Sequence, residues 1–379
     1  MTEPNDLPLS GLVAMELGSS LAGPFATRTL ADLGATVLKV EPPETGEPSR
    51  HWGAERLAGE SAAFQAINKE KRSITADFSD PADIAMLHGL LADSVDVVVQ
   101  NLRPGVAERF GLDAETVCAL NPRLVYCTVA AYGREGPLKD LPGYDPLVQA
   151  FSGLVDVTGP ADGPPARVGV PIMDVGTGMW ATIGVLSALQ RRERTGRGGI
   201  VDISMLDAAL AWQLLSVAKV EGGGEAPQRG GLRGPLVVPN RAFTTADGLL
   251  LVTIGTNPQF ARLCAELDRP DMAADPRFAD NNSRAANEVA LVEALEAAFA
   301  AHTRAEWSGR FDAAGIPNAP IQTLEEVMRH PQVVASGILQ QAPSGDYRLI
   351  GVPLKFDGVR PGYRRAAPAL GEANGRFGS

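Results

Sequence analysis

Cysteine is scarce in this chain, with 3 in 379 residues, at positions 118, 127 and 264. The set is odd in number, widely spread and without CxxC or metal-ligand spacing, which excludes a disulfide framework or a zinc site and points to buried free thiols in a reducing cytoplasm. Basic charge is also short. Lys and Arg total 34 against 45 Asp and Glu, a net charge of −11, so the concentrated basic surface that a nucleic-acid partner needs is missing. The opening Met1-Thr2-Glu3-Pro4-Asn5-Asp6 has no basic stretch followed by an apolar one, so no secretory signal is expected. No apolar run reaches the length needed to span a membrane, and neither a GxGxxG fingerprint nor a P-loop is present. Internal repeats, heptads and low-complexity tracts are absent as well.

What is present reads as a globular α/β chain, 45% hydrophobic and 21% charged, long enough for one large domain and a smaller one. Strand-like Leu12–Leu17, a Gly18–Pro24 turn, a helix through Leu33 and a second strand at Thr36–Glu41 form a βαβ unit. As a ligand loop, that turn would offer backbone N–H groups at a helix N-terminus; as a simple turn it needs no ligand. Pro42–Ala62 is a loop containing Trp52, which either plugs the core or covers a ligand. The Lys69–Arg72 patch precedes a short strand and is either a solvated face or a phosphate site. Further helices and strands follow at Pro81–Ala92, Val95–Gln100 and Leu124–Ala130, then a turn at Pro142-Gly143-Tyr144-Asp145 leading into a helix through Leu154, a strand at Val201–Met205 and a helix at Leu206–Lys219. Asn101, at the end of a buried strand, stands where open α/β sheets gather ligands, or simply ends the strand in a turn. This alternation indicates a doubly wound sheet.

The chain is organised around Gly169-Val170-Pro171-Ile172-Met173-Asp174-Val175-Gly176-Thr177-Gly178. Asp174 is placed to cap a helix running through Leu189, with Thr177, Ala181, Gly184 and Ala188 as a small-residue stripe, and Gly176 and Gly178 imply a close approach to the backbone. The carboxylate reads either as a structural cap or as a nucleophile whose neighbouring amides receive an acyl oxygen. Residues 1–220 form the first part of the large domain, 221–240 a glycine-rich linker, 241–322 a small α+β domain with a hairpin about Ala246-Asp247-Gly248, and 323–379 a return to the large domain.

With these residues in hand, the sequence resembles the class III CoA-transferases, which include formyl-CoA:oxalate and carnitine CoA-transferases. The resemblance rests on Leu21-Ala22-Gly23-Pro24, Lys39-Val40-Glu41-Pro42, Lys71-Arg72-Ser73, Asn101-Leu102-Arg103-Pro104-Gly105, Gly143-Tyr144-Asp145, the Asp174 stretch and Ala369-Leu370-Gly371-Glu372, in order across nearly the whole chain. It implies a Rossmann-like large domain, an interlocked homodimer, and CoA as substrate and product with no permanently bound cofactor and no metal. By position it makes Asp174 the catalytic aspartate and puts Leu21, Ala22, Lys71, Asn101, Leu102 and Arg109 at the CoA site. Trp52, Tyr144 and Asp145 fall near the acyl group, and Gly230 and Gly231 on a covering loop. Pro42 replaces a basic residue of some members, and Ala373 replaces the usual His.

The resemblance implies transfer of CoA from an acyl-CoA to a carboxylic acid through an aspartyl anhydride and an aspartyl-CoA thioester. Two alternatives stand beside it: a 2-methylacyl-CoA racemase of the same fold, and a CoA-binding protein without turnover. Family racemases carry His-Asp where this chain has Tyr144-Asp145, and its only histidines are His51, His88, His302 and His330.

Overall fold

The computed structural model describes residues 7–234 and 236–376. The Met1–Asp6 opening lies outside them. The chain separates into two compact units: one runs up to Val155, resumes at Arg167–Ala226 and returns from Pro331, and the other comprises Asp156–Ala166 and Pro227–His330. The return to the large unit thus comes later than the sequence suggests, and the smaller unit takes an additional segment ahead of the Asp174 stretch.

The first unit is built on six parallel strands, β1 (Val13–Leu17), β2 (Thr36–Glu41), β3 (Arg72–Thr75), β4 (Val97–Gln100), β5 (Val125–Ala130) and β6 (Gly199–Ser204), in the spatial order β3-β2-β1-β4-β5-β6. Side chains alternate across a strand, and the strands are apolar on both faces because both are covered. Ala14, Val37, Val97 and Cys127 pack on one side against α1 (Ala22–Asp32). Met15, Leu38, Val98 and Tyr126 pack on the other against α2 (Pro81–Asp93) and α3 (Ala114–Leu120).

Three further helices complete the part of this unit that concerns the site: α4 (Asp145–Phe151), α5 (Ile172–Thr195) and α6 (Met205–Trp212), followed by α7 (Leu214–Glu221). The sequence suggests one helix from 206 to 219, but the structure breaks it at Gln213. There the side-chain amide leaves the helix axis to donate to Ser152 O at 2.9 Å. The helix expected to follow the Pro142–Asp145 turn and run through Leu154 takes in Asp145 and stops at Phe151, because Gly153 adopts φ +84°, a left-handed conformation that ends a helical run.

Helix α5 is longer than the sequence suggests, 24 residues, and by length and composition alone it could cross a membrane. Within the unit it is a core helix. Thr177, Ala181, Val185 and Ala188 are buried, and the small stripe lets α1 come close. A Cβ on Gly178 would stand 2.8 Å from Ala22 O and 2.8 Å from Phe25 Cδ1, while one on Gly176 would stand 2.8 Å from Trp212 Nε1. The close approach read from these glycines is therefore made by neighbouring helices.

The second unit has a three-stranded antiparallel sheet of β7 (Asn240–Thr245), β8 (Gly248–Thr253) and β9 (Asn318–Pro320), with β8 central. The hairpin turns at Ala246-Asp247, as its sequence implies. Helices α8 (Asn257–Glu266), α9 (Glu288–Phe299) and α10 (Arg304–Ala313) close an aromatic core in which Phe243 stacks on Phe299 with centroids 4.3 Å apart.

Because Gly178 meets backbone and not a yielding side-chain tip, Gly178→Val is expected to destabilise the large unit by about 1–3 kcal/mol through overpacking against α1. Gly169→Ala, at a position with nothing within 4 Å of the added carbon, serves as the silent control in urea unfolding.

Candidate active site

Asp174 lies in the first turn of α5 and is not its cap, which corrects the expectation from the sequence. The N-cap position is Pro171, which has no side chain able to accept a hydrogen bond. The first-turn amides are satisfied from another helix instead. Asp145 Oδ2, on α4, accepts from the Met173 N–H at 2.7 Å and the Asp174 N–H at 3.3 Å. Its other oxygen accepts from Gln149 Nε2 at 2.6 Å, and Gln149 Oε1 accepts in turn from the Val168 N–H at 2.9 Å. Asp145 and Gln149 are both buried.

This arrangement changes two assignments. The amides of Met173 and Asp174 are occupied, so they do not form a vacant receptor for an acyl oxygen. Asp145 is a buried cross-helix cap whose two oxygens both accept hydrogen bonds from within the unit. Tyr144, beside it, is exposed. Asp174 itself is half-buried, and its carboxyl is pushed up from 3.8 to about 7, chiefly by desolvation and then by the negative charge of Asp145. The α5 N-terminus acts in the opposite direction, since its partial positive charge favours an anion.

The turn after β1 and the turn after β4 are joined through Asn101. Its Oδ1 accepts from the Ser19 N–H at 3.2 Å and its Nδ2 donates to Ser19 O at 2.8 Å, a two-point clasp on the first loop. A Cβ on Gly18 would fall 1.7 Å from Asn101 Oδ1, which is why glycine stands there. Asn101 is therefore a loop organiser in this structure. Leu21 occupies the N-cap position of α1 and is half-buried, Ala22 is buried, Leu102 packs at the edge of the core, and Arg109 is exposed on a short helix.

Lys71 is placed differently from the expectation. It is fully buried, and its three ammonium protons go to Glu16 Oε2 at 2.7 Å, Asn68 Oδ1 at 2.8 Å and Pro24 O at 2.9 Å, leaving none for a phosphate. Glu16 also accepts from Lys39 at 2.5 Å, and Lys39 bridges to Glu47 at 2.8 Å. Burial alone would raise the Glu16 carboxyl, but Lys39 and Lys71 together hold it down to about 2. The basic patch is in large part an internal ion network beneath the first turn of α1. Sequence reasoning missed Glu16, Glu47 and Gln149; the first sits in an apolar strand pattern where a charge had to find a buried partner, which was the available signal.

The loop carrying Trp52 is tied down by the same logic. Arg50 donates to both oxygens of Glu41, at 2.8 and 2.7 Å, to Glu60 at 2.9 Å and to Pro368 O at 3.1 Å, so Trp52 is presented from a braced loop. Ala373, in the place of the usual His, is buried with its N–H donating to Ser73 O. Gly230 and Gly231 belong to the second unit, in a turn where the Gly231 N–H donates to Gly159 O at 2.9 Å. Among the described residues there is no cluster of His, Cys, Asp or Glu able to hold a metal ion.

The family model for "CoA-transferase family III" matches residues 9–374. The chain belongs to CoA-transferase family III. Curated relatives of this CoA-transferase include the succinyl-CoA:glutarate CoA-transferase of Mus musculus, 35% identical over 96% of this chain and 84% of that enzyme, and the acetyl-CoA:oxalate CoA-transferase of Acetobacter aceti, 37% identical over 96% and 93%. Among solved structures, a CAIB/BAIF family protein from Brucella suis superposes with a TM-score of 0.88 at 34% identity, covering 98% of both chains. The chain is thus an enzyme of the class that moves CoA between acyl-CoA and acids.

The raised carboxyl of Asp174 makes a stability prediction for this CoA-transferase. Between pH 4 and pH 7 the folded chain holds a proton on Asp174 that the unfolded chain releases, so this residue's contribution to stability falls as pH rises through that window. Asp174→Asn removes the penalty of ionisation. Its stability is expected to match that of the native chain near pH 4 and to exceed it above pH 7, by an amount on the order of 2 kcal/mol once solvent screening is discounted. Differential scanning calorimetry across that range checks the direction.

Proposed function

We propose that the protein transfers CoA from an acyl-CoA donor to a small carboxylic acid, with Asp174 as the nucleophile. The observation that carries this reading is a desolvated carboxyl in the first turn of α5 whose only charged neighbour of influence, among the described residues, is another acid. A structural carboxylate would be paired or hydrogen-bonded; this one is kept reactive.

In this reading the Asp174 carboxylate attacks the thioester carbonyl, the C–S bond breaks, and CoA thiolate leaves an acyl-aspartyl anhydride. The thiolate then attacks the aspartyl carbonyl, releasing the donor acid and forming an aspartyl-CoA thioester. The acceptor carboxylate attacks that thioester and expels CoA thiolate from a second anhydride. Attack of the thiolate on the acceptor's acyl carbon yields the new acyl-CoA and restores Asp174. Each thioester replaces another of similar energy, so ATP is not needed.

The sheet order supports CoA binding at the loops after β1 and β4. These strands are neighbours whose connections run to opposite sides, the crevice where doubly wound, Rossmann-like sheets take their ligands. Leu21, Ala22 and Leu102 are candidates for its apolar wall, and Arg109 for a phosphate contact. Trp52 and Tyr144 are proposed near the acyl group. The relatives' names, with succinyl, glutarate and oxalate, favour dicarboxylic acids among the substrates. Exposed Met179, Trp180, Ile183, Leu214 and Leu215 suit an extensive subunit contact, in keeping with the interlocked homodimer that the family resemblance implies. The free thiols fit a cytoplasmic setting. Tyr144 in place of a racemase His favours transfer over α-proton abstraction.

Asp174→Asn is expected to lower kcat about 10³-fold or more while CoA still binds, and kcat/KM of the native enzyme should rise with pH through an inflection near 7 as the carboxyl ionises. Mass spectrometry of products from a panel of acyl-CoA donors and dicarboxylic acceptors reads the transfer. Near-normal turnover by the Asn variant contradicts the assignment.

A further inference from the structure

The hydrogen bonds joining α4 to the start of α5 have a fixed direction. The Val168 N–H can only donate, so Gln149 must turn its Oε1 toward it, which leaves Gln149 Nε2 as the donor at the other end. That donor faces Asp145 Oδ1, and the Met173 and Asp174 N–H groups face Asp145 Oδ2. Position 145 is therefore met by donors on both sides. Only a side chain with two acceptor oxygens satisfies them, and an amide there would put one N–H against another. Asp145 and Gln149 are buried, so water cannot repair such a conflict cheaply.

We propose that Asp145 and Gln149 are a positioning pair that fixes the first turn of α5, and with it the Asp174 carboxyl, through this directed relay from Val168. The inference rests on Asp174 being the nucleophile. Neither member of the pair needs to touch substrate. The relay runs through the backbone amide of Asp174 itself, so a change at 145 displaces the nucleophile without altering the loops after β1 and β4.

The direction of the relay supplies its own test. In Asp145→Asn the donors conflict, and kcat is expected to fall about 10- to 100-fold, with the KM for acyl-CoA within about threefold of the native value. Gln149→Glu alone sets two carboxyls against each other and should also lose kcat. In the double variant Asp145→Asn/Gln149→Glu every donor again meets an acceptor. The new carboxylate at position 149 accepts from the Val168 N–H and from the new amide at position 145, whose carbonyl oxygen in turn accepts from the α5 amides. The pair then restores the pattern with the charge moved one helical turn further from Asp174.

The double variant is expected to recover at least tenfold in kcat over Asp145→Asn. The inflection of its kcat/KM profile should fall to lower pH, because Asp145 is the charged group acting on Asp174 among the described residues. Native kcat in Asp145→Asn overturns the inference. So does a double variant that is no more active than Asp145→Asn, or that fails to fold, since the restored pattern should be tolerated. If Asp145→Asn does not fold, an active double variant still supports the relay. Failure of the nucleophile reading would show separately, as turnover retained by Asp174→Asn.

Discussion

A carboxyl without a counter-charge among the described residues, held in a poorly solvated helix turn beside a second acid, is the constraint on which the rest of the large unit depends. Such a group costs stability whenever it is ionised. The fold offsets that cost by fixing the turn from outside: Asp145 takes the amides that Pro171 cannot cap, and Gly178 and Gly176 let α1 and Trp212 pack against the helix within one turn of Asp174.

The treatment of other buried acids in the same unit sets Asp174 apart. Glu16 has Lys39 and Lys71, Glu47 has Lys39, Glu41 has Arg50, Asp32 has Lys69, and Glu70 has Arg364. Each is paired because an isolated buried charge would be prohibitive, and breaking such a pair typically costs about 3–5 kcal/mol. These pairs stabilise the first turn of α1, the loop bearing Trp52 and the returning tail. Among the described residues, Asp145 is also buried without a cation and is met by N–H donors instead, whereas the charged group acting on Asp174 is that same acid.

Much of the sheet was legible in the sequence, because β1, β2, β4 and β5 are apolar runs bounded by turns and their order alternates with helices. Helix breaks were not. Gln213 and Gly153 interrupt periodic patterns for reasons that lie in contacts made across the fold, namely the Ser152 carbonyl and a left-handed residue. Asp174 was legible as a singular carboxylate, and the role proposed for it came from the order of the motifs. Its cap was not, since a partner 29 residues away in another helix leaves no local trace. Lys71 was misleading because Lys-Arg-Ser reads as a surface patch until the burial of Glu16 in β1 is known.

The most direct measurement is intact-protein mass spectrometry of the enzyme quenched during turnover with an acyl-CoA, followed by hydroxylamine treatment and peptide mapping. A nucleophilic Asp174 predicts a covalent adduct whose hydroxylamine product maps to that residue and is missing from Asp174→Asn. Full turnover with no modified aspartate at any quench time, or an adduct on another residue, would contradict it.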